Sequence, residues 1–252
     1  MKISRRHPRF QSLSVRERLT NAVRDGIVVP QGLIAHGRGE AFDYIIGEKT
    51  QKAASDATAV AAAVLITAAH PVISVNGNTA ALVGKDLVKL ASTINARIEV
   101  NLFHRTIQRE RRIASYLKGL GARDILGVGK SARTTLHGVS SSRKLIDRRG
   151  IAAADVVLIP LEDGDRAEAL ERAGKKVIAV DLNPLSRTSR VASVSIVDNV
   201  VRAVPALIRD AARMRNMRRA RLDSIVRQFN NDQNLAKSIE ESIRYLRGSL
   251  RK

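Results

Sequence analysis

Two short polar segments of the sequence contain residue types that can bind a nucleotide and its phosphates. The segment 181–190, DLNPLSRTSR, combines an acid, an amide, hydroxyl groups and arginines, which suit a ribose, a base and phosphates. The segment 161–166, LEDGDR, brings three carboxylates together, of which Asp165 can cap a following helix. Capping explains one carboxylate, so Glu162 and Asp163 are predicted to bind Mg²⁺ together with substrate phosphates.

A third polar segment, GLIAHGRGEAFDYIIGE (32–48), has three possible functions: a phosphate-binding loop, a metal site or a polar linker. His36 has no partner at metal-ligand spacing, which disfavours the metal site. Glycines on both sides of Arg38 would let the backbone approach an anion closely. We therefore expect a phosphate-facing loop in which Arg38 contacts the nucleotide and Glu40 orients it or its metal. His36 stays open between a scaffold role and a substrate contact.

Further candidate contacts follow two other predicted strands. In NGN (76–78) the sequence predicts a tight turn with positive φ at Gly77 and a helix N-cap at Asn78, or equally a substrate cradle. The segment NLFHR (101–105) ends another strand and adds a histidine and an arginine. The substrate-binding candidates from these two segments are Asn76, Asn78, Asn101 and Arg105.

Several common catalytic motifs are missing from the sequence. GVGKS (127–131) imitates the end of a P-loop, but Asp124 stands where the first required glycine would be. No G-x-G-x-x-G follows a strand, and no G-x-S-x-G nucleophile elbow or paired-histidine zinc motif occurs. The chain has no cysteine, which excludes disulfides, thiolate metal sites and cysteine nucleophiles.

The elements that must position these residues alternate between short apolar strands and amphipathic helices. Each predicted strand is β-branched and continuously apolar, as in a sheet covered on both faces. The predicted strands are 71–75, 97–102, 124–129, 155–160, 176–181 and 193–198, and the helices between them include 79–95, 105–121 and 165–176. This pattern predicts an α/β fold with a Rossmann-like, doubly wound, mostly parallel sheet. Five of the six strands then release polar residues at the carboxyl edge, where such sheets bind ligands.

Helices are also predicted before and after this unit. They cover 12–26 and 50–69 on the N-terminal side, and 199–221 and 232–248 on the C-terminal side. With no internal repeat or low-complexity linker, we expect one domain over 1–252 with helical extensions at 1–70 and 199–252. Glycines 121 and 174 are predicted to lie at helix C-termini.

Composition limits the broad class of protein. The chain is 44% hydrophobic and carries a net charge of +20, yet 32–100 and 151–200, which hold most of the polar segments, have no positive excess. Electrostatics alone would give only non-specific nucleic-acid binding, so a dedicated nucleic-acid function is disfavoured. The basic N-terminus has no apolar run after it, and the apolar stretch 57–69 is shorter than the roughly 20 residues of a membrane span. We expect a soluble cytoplasmic protein.

Taken together, these segments resemble the archaeal phosphopantothenate synthetases, the 4-phosphopantoate–β-alanine ligases of coenzyme A biosynthesis. The resemblance covers most of the chain in order, is loose over 106–150, and is one of pattern in the C-terminal helices. The matching runs are HPR (7–9), GLIAHGRGEAFDYIIGE (32–48), PVISVNGNTAALV (71–83), NLFHR (101–105), ADVVLIPLEDGDR (154–166), DLNPLSRTSR (181–190) and IVDNVVRAVP (196–205).

This resemblance implies a homodimeric ligase that uses ATP and Mg²⁺ to join 4-phosphopantoate to β-alanine through an acyl adenylate. The implied nucleotide site consists of Arg16, Arg38, Asp181, Leu182, Asn183, Arg187, Thr188, Asn199 and Val200. Arg38 would act as a phosphate clamp during catalysis. Three residues could accept the proton of the attacking amine, and the sequence does not choose among Glu40, His104 and Asp165.

Two other classes of protein are weighed against this assignment. A basic nucleic-acid-associated protein with the same fold would have no reason to keep the convergent polar loops. A nicotinamide-dependent reductase would need the glycine fingerprint that the chain lacks.

Overall fold

A six-stranded parallel sheet forms the centre of the computed structural model, which describes residues 4, 6–7, 9–129 and 133–250. Its strands are β1 (Pro71–Val75), β2 (Arg97–Val100), β3 (Ile125–Leu126), β6 (Val156–Pro160), β7 (Lys176–Val180) and β8 (Val194–Ile196). They lie in the order β3-β2-β1-β6-β7-β8. Each lies within its predicted range, so the predicted α/β fold with a parallel sheet is confirmed. Two short strands, β4 (Arg133–Thr135) and β5 (Leu145–Asp147), form a separate antiparallel pair.

The described helices precede, separate and follow these strands. They are α1 (Phe10–Arg24), α2 (Pro30–Ile45), α3 (Lys52–Thr67), α4 (Gly77–Ile94), α5 (Ile107–Gly119), α6 (Gly164–Arg172), α7 (Arg187–Val191), α8 (Val200–Met214), α9 (Arg219–Arg227) and α10 (Asn231–Ser249). None of these helices combines the length and apolar character needed to cross a membrane. The extent of the domain, 1–252, stays a prediction.

Both faces of the sheet are buried, which explains why its strands are apolar at every position. Along β1, Ile73 and Val75 pack into a core formed with α3, α4 and α8. Val72 faces the opposite side and packs with side chains of α6 and of the β4–β5 pair. A strand covered on both sides has no solvent face, so its sequence shows a continuous run instead of alternation.

The strand order places a reversal between β1 and β6. The chain proceeds from β1 to β2 and β3 in one direction, then returns to β6 and continues to β7 and β8 in the other. Loops leaving the carboxyl ends of β1 and β6 therefore diverge and open a crevice between them. Ligands of open parallel sheets bind at this kind of reversal.

The prediction of a loop over 32–48 is wrong, because most of this stretch belongs to helix α2. Pro30 occupies the first turn, where its missing N–H costs nothing. The buried residues of α2 are two acids, Glu40 and Asp43, which pair with basic or amide side chains of α1 and α8. A helix that is fixed by buried ion pairs lacks the apolar stripe by which helices are predicted.

Four local predictions are also corrected. Asn76, not Asn78, caps α4. Gly77 is the first residue of that helix, and its φ is not positive. Asp165 lies in the first turn of α6, after the N-cap residue Asp163. The helix predicted over 199–221 is divided into α8 and α9. Gly121 and Gly174 do follow helix ends with positive φ, as predicted.

Candidate active site

A cavity of about 570 Å³ opens at the carboxyl edge of the sheet, at the reversal between β1 and β6. Its size is in the range that holds a small organic ligand. Thirteen of the residues proposed from the sequence line it, namely Arg38, Asn76, Asn78, His104, Glu162, Asp163, Asp181, Leu182, Asn183, Arg187, Thr188, Asn199 and Val200. Five others lie outside its wall, namely Arg16, Glu40, Asn101, Arg105 and Asp165. The roles assigned to both groups stay predictions.

The loop after β7 forms one end of the cavity and is ordered by its own hydrogen bonds. The carboxylate of Asp181 accepts from the backbone N–H of Asn183 at 3.0 Å and from the hydroxyl of Ser186. Ser186 also caps α7. Burial raises the pKa of Asp181, while these hydrogen bonds and the charge of Arg38 work against that rise. These hydrogen bonds fix the loop, and Asp181 lies on the cavity wall.

Arg38 approaches the same loop from α2, across the cavity. Its side chain is exposed and its charge acts on Asp181. The adjacent Gly39 lies close to the loop, since a Cβ there would stand 3.7 Å from Cδ1 of Leu182. A cation on this wall faces the place where a nucleotide bound by the Asp181 loop would carry its phosphates.

His36 also lines the cavity, two residues before Arg38 in α2. Burial lowers the pKa of its imidazole below the ordinary value of 6.5, which favours the neutral ring. Its Nε2 is buried and makes no hydrogen bond with the described part of the chain. A neutral ring nitrogen of this kind can donate to or accept from a ligand.

Glu40 does not line the cavity and forms an ion pair with Arg16 of α1. Its carboxylate binds Nε and Nη2 of Arg16, each at 2.9 Å, and accepts a hydrogen bond of 2.7 Å from Tyr44. Burial works to raise the pKa of Glu40, but the hydrogen bonds from Arg16 and Tyr44 outweigh it and lower that pKa. This geometry fixes α2 against α1 and leaves neither Arg16 nor Glu40 on the cavity wall.

The acidic segment after β6 neutralises buried arginines. Glu162 forms ion pairs with both Arg143 and Arg166, and its own side chain is almost fully buried. Oδ2 of Asp163 lies 3.4 Å from Nε of Arg143. Over the described ranges of the chain, no group of three histidine, aspartate or glutamate side chains could hold a metal ion. Glu162 and Asp163 thus have basic protein partners, and their binding of Mg²⁺ together with substrate phosphates stays a prediction.

Two asparagines that follow β1 connect the cavity wall to neighbouring elements. The side-chain amide of Asn76 donates to the carbonyls of Pro160 and Leu161, which joins the two strands at the reversal. Asn78 donates to the carbonyl of Gly32 at 2.8 Å and so ties α4 to α2.

Two residues predicted to contact the substrate, Asn101 and Arg105, lie behind the cavity wall and bond to other parts of the protein. Asn101 is fully buried and its amide donates to the carbonyls of Arg143 and Leu145. Arg105 pairs with the buried Glu110 at 3.0 Å. Both hold the segment that contains β4 and β5 against the sheet, so the structure does not bring them to the cavity.

Two lining arginines were missed by sequence reasoning. Arg109 lies in the first turn of α5, and Arg143 lies in a short 3₁₀ turn (Ser142–Lys144) before β5. Arg109 follows 101–105 closely enough that its proximity to that segment could have drawn attention to it. Arg143 belongs to an irregular stretch with no recognisable motif, and its position depends on long-range contacts.

The parallel sheet, the cavity at its reversal and the polar loop after β7 define a Rossmann-like α/β protein with a ligand site at the carboxyl edge. The chain belongs to the phosphopantothenate/pantothenate synthetase family, whose model matches residues 53–245.

Three relatives from archaea, each named 4-phosphopantoate–beta-alanine ligase, are similar over nearly the whole chain. The protein of Thermococcus kodakarensis is 48% identical over 93% of this chain and 89% of its own length. That of Thermococcus onnurineus is 45% identical over 100% and 95%. That of Methanosarcina mazei is 48% identical over 96% and 94%.

Proposed function

We propose that this protein is an ATP-dependent ligase of coenzyme A biosynthesis that condenses 4-phosphopantoate with β-alanine to 4′-phosphopantothenate. The observation that carries the proposal is sequence identity to ligases of this name. The three relatives described above are at least 45% identical over at least 93% of the chain. The cavity supports it independently, because cationic side chains and the residues predicted to bind a nucleotide line one continuous space. A reaction between two anionic substrates needs such cations to bring them together.

The proposed reaction has two steps. A carboxylate oxygen of 4-phosphopantoate attacks the α-phosphorus of ATP, which breaks the bond to pyrophosphate and gives the acyl adenylate. The deprotonated amine of β-alanine then attacks the acyl carbon, the bond to AMP breaks, and the amide forms. Neither step needs a covalent protein nucleophile, in keeping with a cavity that offers hydrogen-bond donors and charges.

The residues of the cavity receive the following roles in this proposal. Asp181 and Asn183 contact the ribose and base, Arg187 and Thr188 contact phosphates, and Arg38 stabilises charge at the α-phosphorus. Of the three proposed proton acceptors, His104 is the one on the cavity wall. Magnesium would arrive on the triphosphate of ATP, since Glu162 is engaged by two arginines.

The reaction is tested by product identification. Purified protein is incubated with ATP, 4-phosphopantoate and β-alanine, and with each omitted in turn. We expect AMP, pyrophosphate and 4′-phosphopantothenate in equal amounts only in the complete mixture. Formation of ADP would contradict the adenylate, and no product in the complete mixture would contradict the ligase assignment.

We also propose that the protein works in the cytoplasm as a homodimer. Ile243, Leu246 and Leu250 project from one side of the end of α10 and are exposed, Leu250 by 89%. A second copy that covers this apolar side would remove it from water. Light scattering should give twice the chain mass of 27.5 kDa, and Leu246→Lys should lower it towards that of one chain. A wild-type mass of one chain at all concentrations would refute the dimer.

A further inference from the structure

Six exposed arginines gather where helix α8 ends and helix α9 begins, within residues 209–221. The same stretch contains one acid, Asp210, so its net charge is +5 out of the +20 of the whole chain. No lysine occurs between 177 and 236, so every cation here is a guanidinium. We call this group the arginine surface, and its members are Arg209, Arg213, Arg215, Arg218, Arg219 and Arg221.

The arginine surface is continuous across the junction of the two helices. Arg209 and Arg213 are four residues apart on α8, so they lie on one face of that helix. A hydrogen bond of 2.9 Å from the N–H of Met217 to the carbonyl of Met214 closes the turn that joins α8 to α9. The remaining arginines belong to this turn and to the first residues of α9.

This surface lies far from the cavity, at the opposite edge of the sheet. Val200, the first residue of α8, lines the cavity, and the helix runs 15 residues, or about 22 Å, to Met214. Arg219 donates at 2.9 Å to the carbonyl of Thr67, the last residue of α3, from which the chain leads to the amino end of β1. Substrates in the cavity therefore do not account for these charges.

The stability of the fold does not account for them either. Arg213 pairs with Asp210 and Arg219 with Asp223, and both arginine side chains remain about two-thirds exposed, at 65% and 67%. The other four arginines pair with no carboxylate of the described residues. Helix α9 has no acid in its first turn and no side-chain cap, and cations near a helix N-terminus are unfavourable. The arginines thus repel one another and the helix, and a polyanion would relieve both repulsions.

The side chains around the arginines indicate which kind of polyanion fits. No large apolar side chain is exposed between residues 186 and 242, although protein partners and membranes are usually bound through such anchors. A phosphodiester backbone needs only cations, and arginine forks match its oxygens. The one aromatic residue of 201–236, Phe229, packs against the core and is not free to stack on bases.

We propose that the arginine surface binds nucleic acid through its phosphodiester backbone, without preference for sequence. This binding is additional to catalysis, and it needs none of the base-reading motifs that the chain lacks. Because the cavity opens at the other edge of the sheet, the bound protein keeps access to its substrates. The inference does not depend on the proposed ligase function.

The test measures binding of the full-length chain by fluorescence anisotropy over a series of salt concentrations. The probes are a single-stranded RNA and a duplex DNA, each about 20 nucleotides long, and the tighter of the two identifies the source of the backbone. We expect log K to fall linearly with log salt. The triple variant Arg215→Gln, Arg218→Gln, Arg221→Gln should raise Kd at least about tenfold and make the salt slope shallower by about 2 to 3, since three phosphate contacts are lost.

A matched variant separates this surface from the net charge of the protein. Arg111→Gln, Lys118→Gln, Arg123→Gln removes the same charge from exposed positions on and just after α5, and should change Kd less than about threefold. All six substituted side chains are exposed, so both variants should fold like the wild type and keep its ligase activity.

Three results would overturn the proposal. The first is equal weakening by the two triple variants, which would assign the binding to net charge alone. The second is no binding of either nucleic acid at about 50 mM salt, where electrostatic binding is strong. The third is equally tight binding of polyglutamate or of vesicles of anionic lipid, which would replace nucleic acid by an acidic protein or a membrane.

Discussion

Arg38 shows how one residue can face the cavity from a helix instead of from the loop that the sequence predicted. It is exposed on α2, and no carboxylate pairs with it in the described part of the chain. By contrast, the nearby Glu40 is buried and engaged by Arg16 and Tyr44. The side chain of Arg38 is therefore free to bind a ligand, and its removal should leave the packing of α2 unchanged.

We expect Arg38→Ala to lower kcat/KM for ATP about 100-fold or more, because a donor aimed at developing phosphate charge is lost. The free energy of unfolding should change by less than about 0.5 kcal/mol, as for exposed residues in general. Steady-state kinetics and urea unfolding measure the two quantities. Lys89→Ala, which removes an exposed cation from α4, is the control. Normal turnover in Arg38→Ala would show that Arg38 has no role in the reaction.

The start of helix α4 connects three parts of the site. Asn76 caps it and bonds to the chain after β6, and Gly77 lies directly against the segment between α1 and α2. A Cβ on Gly77 would come within 2.4 Å of the carbonyl oxygen of Ile27, which is backbone and cannot rotate away. Glycine is required here for close approach, not for a positive φ.

Gly77→Ala should therefore lower the free energy of unfolding by about 1–3 kcal/mol, the usual cost of overpacking. Gly119→Ala provides the opposite control at the end of α5, since a Cβ there meets nothing within 4 Å. It should raise the free energy of unfolding by about 0.5–1 kcal/mol through the lost flexibility of the unfolded chain. Denaturant titrations of both variants measure these changes. Equal stability of Gly77→Ala and the wild type would contradict the close approach.

Across the whole molecule, part of the positive charge is buried in pairs and not displayed. Arg105 and Arg133 share Glu110, and Arg143 and Arg166 share Glu162, so single acids each hold two arginines. This network fixes the β4–β5 segment and the loop after β6 around the cavity.

Glu99 anchors the same region from β2 and should make stability depend on pH. Its buried carboxylate accepts backbone N–H groups of Asp147 and Ile151 at 3.1 and 2.7 Å. Burial raises its pKa from 4.5 to about 7, although those hydrogen bonds and the charge of Arg166 act against the rise. Between these two values the folded protein retains a proton that the unfolded chain has lost. Raising the pH through this window therefore lowers the free energy of unfolding, by up to about 3 kcal/mol.

The measurement compares denaturant unfolding of the wild type and Glu99→Gln at pH 4.5, 5.5, 6.5 and 7.5. The stability of the wild type relative to the variant should fall as the pH rises across this range and level off above pH 7. The difference between the two proteins cancels other groups that titrate in both. A difference that stays constant with pH would show that Glu99 keeps its ordinary pKa when folded.

The sequence by itself determined the strands, the parallel sheet and the family. These features depend on local composition: continuous apolar runs mark β1, β6 and β7, and glycines mark the ends of α5 and α6. The polar residues after the strands were also found, because parallel strands bring their carboxyl ends to one edge whatever the details of packing.

Only the tertiary structure decided what those polar residues contact. Helix α2 was missed because its buried side is acidic, and its partners lie in the preceding helix α1 and in α8, which is far away in the chain. Only the fold showed that Glu162, a predicted metal ligand, pairs with Arg143 and Arg166. Arg109 lines the cavity beside Gly77, a position that spacing along the chain does not predict. Pairing between charged side chains depends on distances across the fold, and spacing along the chain does not contain that information.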